Sequence, residues 1–369
     1  MTADRANAME IFLTASGWGA AERAPLPGDA STRRYVRLAM NDRRALLMDQ
    51  PQTAETPAAP ASATPEERRA LGYNAIARLA GADCGRFVAA ANYLRKRGLS
   101  APQIYAADPA QGFVIIEDLG DALYADVVTD GNEADLYRAA ADVLAVLHAE
   151  RAPSVLPPDR DFHAYDETAQ LAEIDLLTEW FMPVALGRKA SADEVEEHRA
   201  LWRAALAGAR GPDSVFVHRD YHAQNLLWLP DRAGAARVGL IDFQDAVAGS
   251  KAYDLISLVE DARRDVAPVI AATTTEHYLA AMRAQGTPLD EAQFRAQMAV
   301  MAAQRNAKIV GIFARLYKRD GKPRYLAYLP RVWGYLNNDL EHPAMAGLKA
   351  WYDRAIPREK RGAPEGVAA

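Results

Sequence analysis

A chain of 369 residues, half hydrophobic and a quarter charged, describes an ordinary globular protein larger than one core usually organises, so two lobes with a cleft between them are expected. A net charge of −6 with no lysine-arginine block argues against a nucleic-acid partner, and no apolar run is long enough to span a bilayer. The amino terminus lacks a basic-then-apolar leader and the single cysteine, Cys84, excludes an internal disulfide or a cysteine metal cluster, so a cytoplasmic protein without a membrane partner is expected.

Periodicity predicts a short amphipathic helix over Met9 to Gly17, then three short strands, Ala24 to Leu26, Arg34 to Ala39 and Arg44 to Met48, that make a small antiparallel sheet. Between the first two strands lies Pro27-Gly28-Asp29-Ala30-Ser31-Thr32-Arg33-Arg34, a turn of small residues whose amides suit phosphate oxygens and whose arginines add charge. A Pro-Gly-Asp turn between strands is usually only a turn, so this signal is weak alone. Residues 51 to 65 are proline, alanine and small polar residues that cannot build a core, and a mobile loop is expected there. A helix follows from Pro65 through Leu79, with proline in its first turn and Glu66 and Glu67 near its positive end, and a second helix runs from Arg86 to Arg97.

Gly112 to Asp121 reads as a buried strand ending in acids and a glycine. That suits either a plain strand and turn or a hinge whose backbone at Glu117 and Leu119, flanking Asp118, meets an adenine edge. Beyond it the chain turns helical: Glu133 to Ala149, Thr168 to Phe181, Asp193 to Ala207, Tyr253 to Asp261, His277 to Arg283, Asp290 to Phe313 and Leu326 to Asn337. His148 is read as structural. Pro357 to Ala369 reads as a loose tail.

The stretch Val217-His218-Arg219-Asp220-Tyr221-His222-Ala223-Gln224-Asn225, followed by Gly239-Leu240-Ile241-Asp242-Phe243, carries the chemistry. Val215 to Val217, Asn225 to Leu229 and Val238 to Ile241 read as buried strands, with a hairpin turn at Pro230 to Gly234, so Asp220, Asn225 and Asp242 sit at strand ends. Phosphoryl transfer asks for an acceptor hydroxyl held in line and for metal ions over phosphate oxygens, and magnesium takes carboxylate and amide oxygens. Asp220 therefore reads as the base, with Asn225 and Asp242 as magnesium ligands. Each alone is also a plausible turn residue; three in this order are an unlikely coincidence. His218 reads as a buried scaffold. Only a short interval separates Asp242 from Asp254, which leaves little room for an activation segment or a peptide platform, so a small-molecule acceptor is expected.

This segment resembles the HxDxxxxN catalytic loop and metal-binding Asp of the protein-kinase-like superfamily, and its Asp-Phe-Gln with Tyr253-Asp254-Leu255 behind it is closer to the aminoglycoside phosphotransferase and choline kinase family. The resemblance implies an α+β, two-lobed protein-kinase-like fold, with a nucleotide-binding lobe over 1–118 carrying an insertion at about 51–81, a catalytic lobe over 119–357 and a tail over 358–369. It implies ATP and Mg2+ as cofactors, Asp254 supporting the catalytic loop, the turn from Gly28 to Arg34 over the phosphates, and Glu117-Asp118-Leu119-Gly120 as the lobe connector. One departure stands out. The third strand offers Met48 where the superfamily offers a lysine, and the helix from Arg86 to Arg97 has no acidic residue to pair with one, so Arg33, Arg34 or Arg37 must meet phosphate charge.

Glu179 and Trp180, a carboxylate beside an indole, suit a sugar, although core packing is the commoner role for such a tryptophan; His222 and Gln244 join them as substrate candidates. Within the family the motifs, including Gln304-Arg305-Asn306, resemble the bacterial anomeric kinases of cell-wall amino sugars. That branch implies a monomer that phosphorylates C1 of a small-molecule amino sugar, N-acetylmuramate or N-acetylglucosamine, in peptidoglycan recycling. Kinases of another small alcohol (an aminoglycoside, choline or homoserine) keep the same catalytic residues, and a nucleotide-binding regulator without turnover would account for Met48.

Overall fold

The computed structural model describes every residue except 1–2, 28–31, 52–55, 57, 210, 212–213 and 365–369. In chain order its helices are α1 (Ala3–Ala15), α2 (Pro65–Leu71), α3 (Tyr73–Ile76), α4 (Cys84–Lys96), α5 (Tyr124–Val127), α6 (Glu133–His148), α7 (Glu167–Leu176), α8 (Met182–Leu186), α9 (Ala192–Gly208), α10 (Ala252–Val259), α11 (Pro268–Ala284), α12 (Glu291–Asp320), α13 (Leu329–Asp339) and α14 (Ala346–Ala355). The strands are β1 (Glu22–Pro25), β2 (Arg34–Met40), β3 (Arg43–Asp49), β4 (Ile104–Asp108), β5 (Phe113–Ile116), β6 (Val155–Leu156), β7 (Arg160–Asp161), β8 (Val215–Val217), β9 (Leu226–Trp228), β10 (Val238–Leu240) and β11 (Val247–Gly249). The chain divides into two units. One holds residues 1–128, 153–163 and 224–247, the other 129–152, 164–223 and 248–369.

The first unit is built on a five-stranded antiparallel sheet in the order β1-β2-β3-β5-β4. Alternation fixes which side chains turn inward: Leu38, Ala45, Leu47, Phe113 and Ile115 share a core with Met9, Phe12 and Leu13 of α1 and with Trp18. Phe12 stacks on Phe113 at 5.6 Å, and each such buried side chain stabilises the unit by about 1.5–3 kcal/mol. The sequence predicts the first three strands to within two residues and misses β4, whose Ile-Tyr-Ala-Ala-Asp lacks an apolar run. The expected helix from Pro65 to Leu79 is broken at Gly72, which takes a positive φ of 102° between α2 and α3. Arg78 donates to the carbonyls of Pro60 (3.0 Å) and Ala61 (3.3 Å), and Asn74 to that of Thr56 (3.2 Å), so the described part of the proline-alanine stretch is tied to the turn after α3.

The hairpin β9/β10 belongs to this unit because its backbone is hydrogen-bonded there: Leu240 N donates to Ser100 O (2.8 Å) and Trp228 N to Ala122 O (2.8 Å). Arg232, in the hairpin loop, donates to Ser100 Oγ (2.7 Å) and Glu117 Oε1 (2.6 Å).

The second unit is helical, with α12, 30 residues long and closed by Gly321 at φ 64°, packed against α7, α10 and α13. The expected helix from Thr168 to Phe181 ends its regular winding at Leu176 and opens into a π-helical turn over Leu177–Phe181 before α8. Pro183 explains this, since its ring clashes with the carbonyl four residues back and it donates no hydrogen bond. The sequence underestimates α11 and α12 and misses α14. Beyond α14, Arg361 is buried and donates to Ile356 O (3.0 Å), Asn337 Oδ1 (2.8 Å) and Asp353 Oδ1 (2.8 Å). Among the described residues no helix is long and apolar enough to cross a membrane.

Candidate active site

The division between the units falls at Ala223 and Gln224, inside the stretch Val217 to Asn225, so Asp220 belongs to the second unit and Asn225 and Asp242 to the first. In the second unit β8 delivers the chain to His218 and Arg219, both buried, and to Asp220, which is half-buried. Arg219 has φ 75°, a left-handed conformation that costs a non-glycine residue about 1–2 kcal/mol. Asp254 on α10 holds this turn: Oδ2 accepts from His218 N (2.6 Å) and Oδ1 from Arg219 N (3.0 Å). Burial pushes the Asp254 carboxyl up to about 7, with the two N–H donors pulling the other way and Asp220 adding to the rise. Both oxygens of Asp254 accept from the backbone, so the ionised form organises the loop.

The Arg219 guanidinium pairs with Glu173 of α7, which also takes Lys308 of α12 at 3.0 Å and the Tyr165 hydroxyl. His218 lies edge-on to Tyr221 at 5.6 Å, and Tyr221 donates its hydroxyl to Ala140 O (2.8 Å). His222 is buried with Nε2 3.1 Å from Arg263 Nη1, and burial pulls it down to about 4, so it is neutral at neutral pH. Asp261 accepts from Ala223 N (3.3 Å) and Arg263 N (2.8 Å). Glu179, exposed, and Trp180, half-buried, stand on the π-helical turn.

In the first unit β9 and β10 place Asn225 and Asp242 at neighbouring ends of one hairpin, where Leu226 pairs with Leu240 and Ile241 N donates to Asn225 O (3.2 Å). Asp242 has φ 64°, a conformation aspartate tolerates better than most residues. Arg33 Nη2 donates to Asp242 Oδ1 (2.7 Å), Arg33 Nη1 to Gln244 Oε1 (2.6 Å) and Gln244 Nε2 to Asp242 Oδ1 (3.1 Å). The segment is anchored on both sides: Phe243 stacks on Phe87 of α4 at 4.8 Å, and Asp245 Oδ1 accepts from Ala80 N (2.6 Å). An amide and a carboxylate on paired strands form a hard-oxygen donor set, and a cation already rests on Asp242. The residues fit a magnesium ion.

Other nucleotide candidates are distributed around the sheet. Gly28, Asp29, Ala30 and Ser31 lie outside the described residues; Thr32 accepts from Gln50 (3.2 Å) and Arg34 is exposed. Met48 is fully buried, with the Tyr35 hydroxyl 3.6 Å from its sulfur. Glu117 donates its N–H to Gln103 O (2.8 Å), so its carbonyl is what it can offer a ligand. Asp118 accepts from Gly120 N (3.0 Å) and pairs with Arg37 (2.8 Å), which makes it the organiser of the turn ahead of Leu119.

The sequence model of the phosphotransferase enzyme family matches residues 22–289, a span that contains both halves of this arrangement. The chain belongs to the phosphotransferase enzyme family. It is 46% identical over 365 residues to an N-acetylmuramate/N-acetylglucosamine kinase of Caulobacter vibrioides, covering 98% of this chain and 99% of the relative. To the Pseudomonas aeruginosa protein of the same name it is 33% identical, over 92% and 90% of the two chains. Solved structures similar to it include a microcompartment-associated aminopropanol kinase (TM-score 0.59, 15% identity, 93% of this chain and 99% of that one). A choline kinase from Streptococcus pneumoniae is similar at TM-score 0.57 and 14% identity, over 90% of this chain and 99% of that one. These two likenesses fix the protein-kinase-like α+β fold.

Several residues that hold the site escape sequence reading. Glu173 and Lys308 are charges buried on helices with large apolar faces, and that conflict with periodicity is a usable signal. Asp261, seven residues before the α11 start, and Asp245 beside the motif carry no signal that separates them from ordinary turn acids.

Proposed function

We propose that this family member is an ATP- and magnesium-dependent kinase that phosphorylates the anomeric C1 hydroxyl of N-acetylmuramate and N-acetylglucosamine, a salvage step in peptidoglycan recycling. The observation that carries the reading is near-full-length similarity to a kinase named for those two sugars, in a chain that keeps Asp220, Asn225 and Asp242. In this reading Asp220 accepts the proton of the sugar hydroxyl, and a hemiacetal hydroxyl, more acidic than an ordinary alcohol, suits a carboxylate base. Asp254 fixes the backbone beneath Asp220 through the N–H groups of His218 and Arg219. Asn225 and Asp242 would hold the magnesium ion, whose charge offsets that of the phosphate oxygens. The Glu117 carbonyl and Leu119 N–H would meet the adenine edge, and the turn at 28–34 the phosphates. Glu179, Trp180 and His222 would contact the sugar, and neutral His222, held by Arg263, offers it a hydrogen bond without a charge.

The test is direct. The purified protein with ATP and Mg2+ converts either amino sugar to a product whose phosphorus NMR signal is that of a glycosyl phosphate, and the methyl glycosides do not react. Phosphate at another carbon, or turnover of the methyl glycosides, would reject the anomeric assignment; no turnover of any sugar despite ATP binding would favour a regulator.

A further inference from the structure

The kinase reading leaves one charge unassigned. β3 presents buried Met48 where a phosphate-binding lysine is expected, and its own cations, Arg43 and Arg44, are exposed at the opposite end of the strand. Three arginines around β2 are the nearest alternatives in sequence, and their partners separate them. Arg34 is exposed in the register position opposite Asp49. Arg37 is committed to the turn after β5, with Nε 2.8 Å from Asp118 Oδ2 and Nη2 2.7 Å from Asp121 Oδ1. Arg33 alone of the three is tied to the magnesium candidate, at 2.7 Å from Asp242 Oδ1, with its second Nη on Gln244 and its side chain only 13% exposed.

We propose that Arg33, aligned by Asp242 and Gln244, is the cation that meets the nucleotide phosphates in place of the strand lysine. This rests on the kinase reading and names a residue of that site. A guanidinium is a rigid plane with five N–H donors, so it can serve a carboxylate and phosphate oxygens from different edges. A carboxylate likewise accepts at two oxygens, so holding Arg33 does not exclude holding a metal ion. A lysine on β3 would need a glutamate to aim it, and α4 carries none; Arg33 is held instead by Asp242 and Gln244.

The experiment compares wild type, Arg33→Met, Arg33→Lys and Gln244→Ala by calorimetric titration with ATP, ADP and adenosine, each with Mg2+ and with chelator. Arg33→Met is expected to weaken ATP about 10- to 100-fold while adenosine binds as before, because only the charged tail is lost. Arg33→Lys is expected to recover part of the ATP affinity, since charge returns without the fork, and Gln244→Ala to weaken ATP by less than Arg33→Met does. Equal ATP affinity in Arg33→Met and wild type would overturn the proposal, and so would parallel loss of ATP and adenosine, which marks a purely structural tie. If Arg33→Met does not fold, Arg33→Lys decides: wild-type ATP affinity in it would reject a role for the fork. A wild-type protein that binds no ATP would instead sink the kinase reading.

Discussion

Arg219 and Glu173 form an ion pair in which both side chains are 1% exposed, directly beside the proposed base. Glu173 is further ringed by Lys308 at 3.0 Å, by the Tyr165 hydroxyl and by Gln304 Nε2 at 3.3 Å, so the pair is fully hydrogen-bonded. Burial alone would raise the Glu173 carboxyl, and Lys308 and Arg219 outweigh it to leave it at about 2. Its stabilising contribution is therefore complete above the ordinary carboxylate value of 4.5 and is lost as pH falls through about 2. Glu173→Gln strands two buried cations and is expected to cost about 3–5 kcal/mol at neutral pH. Urea unfolding at pH 7 and pH 3 checks it: the gap between variant and wild type narrows at the lower pH, and an unchanged gap refutes the charge argument.

Asp254→Asn is a sharper probe of the loop. The amide keeps the volume but turns one acceptor into a donor facing the N–H of His218 or Arg219. Turnover is expected to fall about 100-fold or more, the scale of a displaced general base, with a lowered Tm. Full activity would show that the turn at Arg219 holds itself.

Asp220→Asn and Asp242→Ala separate chemistry from metal binding. The first is expected to lower kcat by about 10²- to 10⁴-fold while Mg·ATP binds as in wild type. In the second, ATP affinity loses its dependence on magnesium. An Asp220→Asn enzyme with wild-type kcat would remove that residue from the base role, and an Asp242→Ala protein that still binds ATP more tightly with magnesium would remove Asp242 from the ligand set.

Gly311 sits in the middle of α12 where a Cβ would overlap the backbone and side chain of Leu176, the last residue before the π-helical turn. Gly311→Ala is expected to destabilise by about 1–3 kcal/mol through overpacking, although alanine is the better helix former. Chemical denaturation measures it, and a variant as stable as wild type would mean that the two helices part without strain.

What the sequence reveals and what it hides follow from the range of the forces involved. Strand alternation in β2 and β3, the apolar stripe of α6 and the Asp220, Asn225 and Asp242 spacing are local patterns, and all are legible. α14 is missed although its pattern is local: Leu348, Trp351, Tyr352 and Ala355 recur at helical spacing. The π-helical turn was not legible, because it depends on how Pro183 is accommodated between two helices. Nor was the choice among Arg33, Arg34 and Arg37, since Arg33 meets Asp242 and Gln244 from more than two hundred residues away in the chain. The link from Asp245 to Ala80 spans 165 residues and is likewise invisible there.

In related kinases, seating the helix behind the nucleotide requires a lysine-glutamate bond to assemble, which gives signalling systems a joint to make and break. Here Phe87 of α4 lies on Phe243, and Arg86 donates to Ala246 O at 3.5 Å. On the kinase reading proposed above, α4 then needs no lysine-glutamate pair to be assembled before turnover.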